Sequence, residues 1–400
     1  MSTPVLPGAD LSDVPGADLP GADFYQFESR LNGFEQRKLA EQRAFLTEHV
    51  DPFCIQWWND AEFPSQILPD LAGLGLTTPL QQGYSPLFAG LVIAEMTRVD
   101  ASVATFFMVH HDLFVESLYR FGSDSQRERY LADALALRTT GAFGLTEPEH
   151  GSDVAGGMDT TARREGDEWV LNGAKRWIGN GTFCDYLLLW AQDESDGSVR
   201  GFILDTSLPG VRRSKIEHKI ALRTVQNALI ELTDVRVEEA DRFAGIDSFH
   251  DTKVLLQGSR MMVAWQAVGA QLGAFDIARQ YVIERQQFGR PLASFQLVQA
   301  QLVKMLGNAM SSMALIAQLT MLPPAEISMD QVALAKAVTT ERMRETVALG
   351  RALLGGNGIV TDYRMAKCFA DAEAMYTYEG SYEINTLIVG RAITGLSAIV

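Results

Sequence analysis

The order of textures along the chain constrains its fold more than any single motif does. Long helical patterns come first, short strand-like runs follow, and long helical patterns return. Phe34, Leu39, Phe45 and Leu46 recur among charged residues at near-helical spacing. Residues 73–83 supply turn chemistry, and the apolar stretches 87–96 and 103–121 read as buried helices. After Thr140 the runs 169–171, 186–190, 201–204 and 229–232 are separated by polar turns such as Asn172-Gly173 and Asp196-Gly197. These are strand and hairpin signals. Beyond Phe249, residues 255–281, 295–322, 329–354 and 363–376 predict four long helices, which would pack as an antiparallel bundle. The expected architecture is therefore mainly α with a central β domain. It has a flexible tail (1–23), an N-terminal helical domain (24–140), a middle β-barrel-like domain (141–248) and a C-terminal four-helix bundle (249–400).

A chain of 400 residues, 47% of them hydrophobic and 21% charged, has the composition of a soluble globular protein with a large core. Its net charge of −16 argues against a general nucleic-acid binder, while leaving room for a small phosphate-bearing ligand in a local positive pocket. Cys54, Cys184 and Cys368 lie far apart. They form neither a disulfide framework nor a metal-ligand set, and they suit a reducing compartment. The six histidines are not at metal-binding spacings. No stretch reads as a membrane span, and the first basic residue is Arg30, so the basic start of a signal peptide is missing. The cytoplasm is the expected location. Residues 1–23 repeat Pro-Gly-Ala-Asp from Pro7, Pro15 and Pro20 and read as a leader with no function of its own.

No Gly-x-Gly-x-x-Gly follows a strand, and no Gly-x-Ser-x-Gly elbow occurs, so redox chemistry would need a cofactor held in another way. Four stretches are candidates. Residues 143–153 (FGLTEPEHGSD) and 177–180 (WIGN) combine apolar walls with hydroxyls and glycine backbone, a mix that suits a flat heteroaromatic ring. The plainer reading is a turn and a core tryptophan. Residues 285–292 (RQQFGRPL), followed by Phe295-Gln296, set two arginines beside a Gly/Pro break. Arginine suits bidentate phosphate contacts, and a solvated turn explains the pattern equally well. Residues 354–359 (LGGNGI) permit close backbone approach to a ligand, or simply cap a helix. In residues 376–383 (YTYEGSYE), Glu379 stands among aromatic residues, where burial would raise its proton affinity toward that of a base for a weak carbon acid.

Together, in this order and spacing, the four stretches resemble the acyl-CoA dehydrogenase and acyl-CoA oxidase family, from residue 24 to the C-terminus. Tyr378-Glu379-Gly380-Ser381, residues 390–395 (GRAITG) and residues 98–102 (RVDAS) are most similar to glutaryl-CoA dehydrogenase and to the short-chain acyl-CoA oxidase of plant peroxisomes. The resemblance implies FAD held between the β domain and the bundle, a homotetramer, and Glu379 as catalytic base. It implies that Phe143, Leu145, Thr146, Gly151, Ser152, Trp177, Ile178 and Gly179 line the flavin. It places Ser381 on the flavin of the same subunit, and Arg285, Phe288, Gln296, Gly355 and Gly356 on that of a neighbour. Ser152, Arg260, Ala104, Tyr378 and Gly380 would meet the acyl-CoA.

The implied reaction is α,β-dehydrogenation of a short- or medium-chain acyl-CoA, as in fatty-acid β-oxidation, with electrons passed to an electron-transferring flavoprotein. The alternatives are a short-chain oxidase that uses oxygen and, further off, an inactive flavin-binding homologue. Three positions depart from the family patterns. Ala104 stands where glutaryl-CoA dehydrogenase has a carboxylate-binding arginine, so a dicarboxylyl chain is not expected. Gly179 replaces a threonine that bonds the flavin in many dehydrogenases, which keeps the oxidase alternative open. Glu383 stands where some relatives have glutamine.

Overall fold

A computed structural model describes residues 19–398. Most of the expected tail therefore lies outside the described residues. The packed chain starts earlier than the boundary at Phe24: the Pro20 carbonyl accepts from Arg279 at 2.6 Å, and Ala22 is buried. Asp23 then accepts the N–H groups of Phe27 and Glu28, each at 2.9 Å, and fixes the first turn.

The N-terminal helices are α1 (Gly33–Phe45), α2 (Cys54–Asp60), α3 (Leu68–Gly73), α4 (Pro86–Val99), α5 (Ala101–Met108), α6 (Glu116–Phe121) and α7 (Asp124–Leu135). A full capping box starts α1, with Asn32 and Glu35 bonding each other's backbone N–H, while Pro86 follows the Ser85 cap of α4. The expected helix over 103–121 is divided. α5 passes into a wide π-helical turn, Val109–Val115, before α6 begins.

The middle domain is one seven-stranded sheet: β1 (Gly141–Gly144), β2 (Thr161–Glu165), β3 (Glu168–Ile178), β4 (Tyr186–Asp193), β5 (Val199–Asp205), β6 (Val211–Lys215) and β7 (Ala228–Glu238). A short helix, α8 (Val154–Gly157), lies between β1 and β2. The hydrogen-bonded order is β1-β4-β2-β3-β7-β6, with β5 also paired to β4. The sheet curls, in keeping with the expected barrel-like form. The short strands β1, β2 and β6 had no clear apolar signal, and they are held by pairing with longer neighbours. One face encloses Leu171, Leu187 and Ile230, while Trp190 and Ile203 on the other pack with Phe114 and Leu118 from the helical domain.

Then come α9 (Phe249–Glu284), a two-strand hairpin of β8 (Gln286–Gln287) and β9 (Arg290–Pro291), α10 (Gln296–Thr320), α11 (Met329–Leu353), α12 (Met365–Thr377) and α13 (Tyr382–Thr394). The bundle thus holds a fifth helix, α13, beyond the four expected. Nearly every residue from Met262 to Phe275 is buried, because α9 is surrounded by the other helices and by α4. Contact with α4 is at backbone distance: a Cβ on Gly269 would lie 2.2 Å from the Ala94 carbonyl oxygen. By length and composition α10 could cross a membrane, which the bare sequence did not lead us to expect. Half of that window is buried inside the protein.

Candidate active site

The site grows from the turn between α12 and α13. Glu379 and Gly380 are both left-handed, with φ of 54° and 78°. Two such residues in succession end α12 sharply and swing the Glu379 side chain away from the helix axis. A non-glycine residue at positive φ is uncommon and needs surrounding contacts to hold it. Those contacts are present. Arg260 Nε donates to the Glu379 carbonyl (2.9 Å), Lys336 Nζ donates to the carbonyls of Tyr376 (2.9 Å) and Gly380 (2.7 Å), and Asn385 Nδ2 donates to Gly380 (2.7 Å) and Ser381 (3.0 Å). Gly380 is a glycine for reasons of space too, since a Cβ there would lie 3.1 Å from Asn385 Nδ2 and 3.2 Å from Arg260. Ser381 caps α13 through the Ile384 N–H.

The Glu379 carboxylate faces α9, where Ser259 Oγ donates to Oε2 at 2.6 Å. Burial raises its pKa above the ordinary carboxylate value. Ser259, Arg260 and Lys336 oppose that rise, and the Asp112 carboxylate adds to it. Burial also pulls the Lys336 ammonium down to about 7. Tyr378 Oη donates to Gln266 Oε1 (2.7 Å), and Gln266 Nε2 donates to Thr105 Oγ1 (3.1 Å), so the phenol is fixed against α5 and α9. Arg260 lies on this turn as the resemblance implies. However, its Nε holds the Glu379 carbonyl and its Nη1 meets Met329 Sδ at 2.7 Å, so much of it serves the loop. Ala104 is enclosed in the core of α5, next to Thr105.

The second wall comes from the sheet and meets the first at the π-helical turn. A Cβ on Gly179 would lie 3.1 Å from Val109 Cγ2, so Val109 occupies the space a side chain would take. Asn180 Nδ2 reaches the carbonyls of Phe106 and Gly141, both at 3.3 Å, and locks β3 against α5 and β1. Trp177 is left-handed (φ 64°) and leaves 52% of its surface bare, while Ile178 beside it is buried. The Arg176 N–H donates to the Thr146 carbonyl (2.8 Å) and joins the two flavin-candidate stretches. Glu147 anchors the first of them: it accepts from Asp159 N (2.6 Å), Thr160 N (2.9 Å) and buried Lys175 (2.7 Å). Phe143 and Thr146 are half-buried, Leu145 is buried, and Gly151 and Ser152 lie exposed at the rim. A bare indole, a threonine hydroxyl and a side-chain-free Gly179 form an apolar plate with polar edges, which fits a flat heteroaromatic ring.

Arg285, Phe288, Gln296, Gly355 and Gly356 form a separate group. Arg285, which caps the C-terminus of α9, lies 26 residues beyond Ser259, about 39 Å at 1.5 Å per residue. All five are exposed, Phe288 by 91%. Asn357 donates to Tyr281 Oη (3.0 Å), bringing the glycine turn and the end of α9 together. The Arg290 guanidinium lies 4.2 Å over the Phe295 ring.

Sequence reasoning missed Ser259, Gln266, Thr105, Lys336 and the His111–Asp112 pair, whose Nδ1–Oδ1 separation is 2.5 Å. A signal existed for two of them. Ser259 and Gln266 are seven residues apart, one face of a helix that is otherwise strongly apolar.

Comparison with known proteins gives three consecutive matches. They are the models described as acyl-CoA dehydrogenase N-terminal domain (residues 35–138), middle domain (142–235) and C-terminal domain (249–394). The chain is 29% identical over 367 residues to "Caffeyl-CoA reductase-Etf complex subunit CarC" of Acetobacterium woodii, covering 88% of this chain and 96% of that one. It is 30% identical over 372 residues to "Probable acyl-CoA dehydrogenase YngJ" of Bacillus subtilis, covering 90% and 98%. Among solved structures, glutaryl-CoA dehydrogenase from Mycobacterium smegmatis superposes with a TM-score of 0.91 at 32% identity, covering 95% of this chain and all of that one. A second structure of a glutaryl-CoA dehydrogenase from that organism, in complex with FADH2, gives 0.91 at 30% identity, covering 95% and 99%.

Proposed function

The chain belongs to the acyl-CoA dehydrogenase family, and from that premise we propose that it oxidises a short- or medium-chain, monocarboxylic acyl-CoA to the trans-2-enoyl thioester. The observation that carries this reading is the Glu379 carboxylate. It is desolvated, hydrogen-bonded at 2.6 Å by Ser259, and presented on a left-handed turn pinned by three side chains. Members of this family depend on FAD, and the residues present fit it. Trp177, Ile178, Gly179 and Thr146 would line its ring, with Ser381 at its edge. Arg285, Phe288, Gln296, Gly355 and Gly356 would serve the FAD of a neighbouring subunit. Their distance from Glu379 along α9 and their exposure support this assignment, and with it a homotetramer.

When bound, FAD supplies the two-electron acceptor. The chain's own residues do the rest. Glu379 takes the α proton on its carboxylate, and its backbone N–H donates to the thioester oxygen, where negative charge builds as the proton leaves. Tyr378, held by Gln266 and Thr105, walls the site and fixes the orientation of the acyl chain. Ala104 provides no cation for a distal carboxylate, and Asp112 adds negative charge nearby, so dicarboxylyl chains are disfavoured.

An electron-transferring flavoprotein is the proposed acceptor, supported by the relative that bears the name of an Etf complex subunit. Oxygen is the second reading, favoured by Gly179, whose neighbour Val109 leaves no room for a hydroxyl-bearing side chain without displacement. Anaerobic titration of the flavin band with acyl-CoAs of increasing length, followed by air, tests both. Bleaching by butyryl- or hexanoyl-CoA that only a dye or flavoprotein reverses supports the dehydrogenase. Rapid reoxidation with peroxide release supports the oxidase, and no bleaching by any acyl-CoA refutes the activity.

A further inference from the structure

We propose that Ser259 is a positioning residue whose single hydroxyl serves both protonation states of Glu379, holding the carboxylate before proton transfer and the carboxylic acid after it. This rests on Glu379 being the base. The geometry is specific. Ser259 Oγ has two acceptors within reach, Glu379 Oε2 at 2.6 Å and the Leu256 carbonyl of its own helix at 3.3 Å. A hydroxyl has one proton to donate and two lone pairs with which to accept. With Glu379 ionised, the proton lies toward the charged, nearer acceptor, since charge-assisted hydrogen bonds are shorter and stronger. Once Glu379 carries the α proton on the oxygen that Ser259 does not hold, Oε2 becomes the carbonyl oxygen of the acid and still accepts from Ser259 Oγ, with the Leu256 carbonyl as the alternative acceptor for the weaker bond. No heavy atom has to move, and Oε2 keeps its donor through the step. Ser259 is 2% exposed, so in the parent its hydroxyl is shielded from bulk water. An alanine there would leave Oε2 without a donor in a desolvated place.

The other charged groups that act on Glu379 lie on separate elements: Arg260 beside Ser259 on α9, Lys336 on α11 and Asp112 on the π-helical turn. Glu383 on α13 acts on Lys336 in turn. None is changed by replacing Ser259, so the hydroxyl can be isolated.

The test uses the FAD-loaded protein and four variants, Ser259→Ala, Ser259→Thr, Ser259→Val and Glu379→Gln. Two measurements are made across pH: the rate of flavin bleaching by butyryl-CoA, and the infrared carboxylic-acid band of Glu379, identified by its absence in Glu379→Gln. The alanine variant should move the acid limb of the rate profile and the infrared titration upward together by about one pH unit. That is a tenfold loss of rate on the limb, with recovery at high pH. Threonine should restore the parent profile, and valine, which has the same shape without the hydroxyl, should not. If the alanine variant fails to fold, the threonine–valine pair gives the same answer. Superimposable profiles for threonine and valine, or an unshifted infrared band in the alanine variant, overturn the inference alone. Bleaching by Glu379→Gln at the parent rate overturns the base assignment and the inference with it.

Discussion

Removing the charge of Glu147 should loosen the wall proposed for the flavin by an amount that depends on pH in a calculable way. Glu147 and Lys175 form an ion pair at 2.7 Å whose side chains are 2% and 0% exposed. Burial is the leading influence on both. For Glu147 it is overcome by Lys175 and the N–H donors, so its pKa ends below the ordinary value. For Lys175 burial prevails and pulls the pKa from 10.5 to about 8, which leaves the pair ionised at neutral pH. Glu147→Gln keeps the shape and one acceptor, but strands a buried ammonium. Breaking such a pair typically costs about 3–5 kcal/mol. Lys175 has one escape, to fold neutral, and relative to the parent fold this costs about 1.4 kcal/mol per unit between ambient pH and its folded value of about 8. That sets a ceiling on the charge-related deficit of roughly 1.4 kcal/mol at pH 7 and close to zero at pH 9, where the parent lysine is itself largely neutral. Urea unfolding of parent and variant at the two pH values should show the deficit shrinking by more than half, and FAD should dissociate more readily at pH 7. Glu147→Gln combined with Lys175→Met, which keeps a side-chain acceptor for the Asp159 and Thr160 N–H groups while removing the ammonium, should recover most of the loss. A deficit that does not change between the two pH values, or that grows as pH rises, would refute the reasoning.

Four further outcomes follow from the same coordinates. Gly269→Val should prevent folding, because a Cβ there would lie 2.2 Å from the Ala94 carbonyl oxygen. Gly258→Ala, with nothing within 4 Å, should raise stability by about 0.5–1 kcal/mol, read as the melting temperature of each variant. The acid limb of flavin bleaching should lie above the ordinary carboxylate range. Burial raises the Glu379 pKa and only the ionised form accepts a proton, so activity falls as pH drops through that raised value. Glutaryl-CoA should be turned over more slowly than butyryl- or hexanoyl-CoA in steady-state assays. A faster glutaryl rate would mean that some cation reaches the distal carboxylate despite Ala104.

Much of this was legible in the sequence because local patterns and tertiary demands agree. The change from helical to alternating periodicity at Thr140 falls one residue before β1, and the return at Phe249 is where α9 starts. α13 was missed because its apolar residues are spread around an exposed helix, with Ile393 78% bare. The π-helical turn at Val109–Val115 was missed because its composition is that of the helices around it. Motif reasoning singled out Glu379, Trp177 and Thr146, since each stands in an unusual local sequence. It did not single out Ser259 or Lys336, because their contacts with the Glu379 turn come from how α9 and α11 pack, 120 and 43 residues from Glu379 in the chain. The separation of Arg285 and its companions from Glu379 became visible only once α9 was seen as a single helix of 36 residues.

The most direct measurement compares anaerobic flavin bleaching by butyryl-CoA in the parent and in Glu379→Gln, each loaded with FAD. The account predicts equal FAD content and equal thermal stability to within about a degree, with bleaching slowed by at least about a thousandfold in the variant. Bleaching at comparable rates in the two proteins would show that the α proton leaves to some other group.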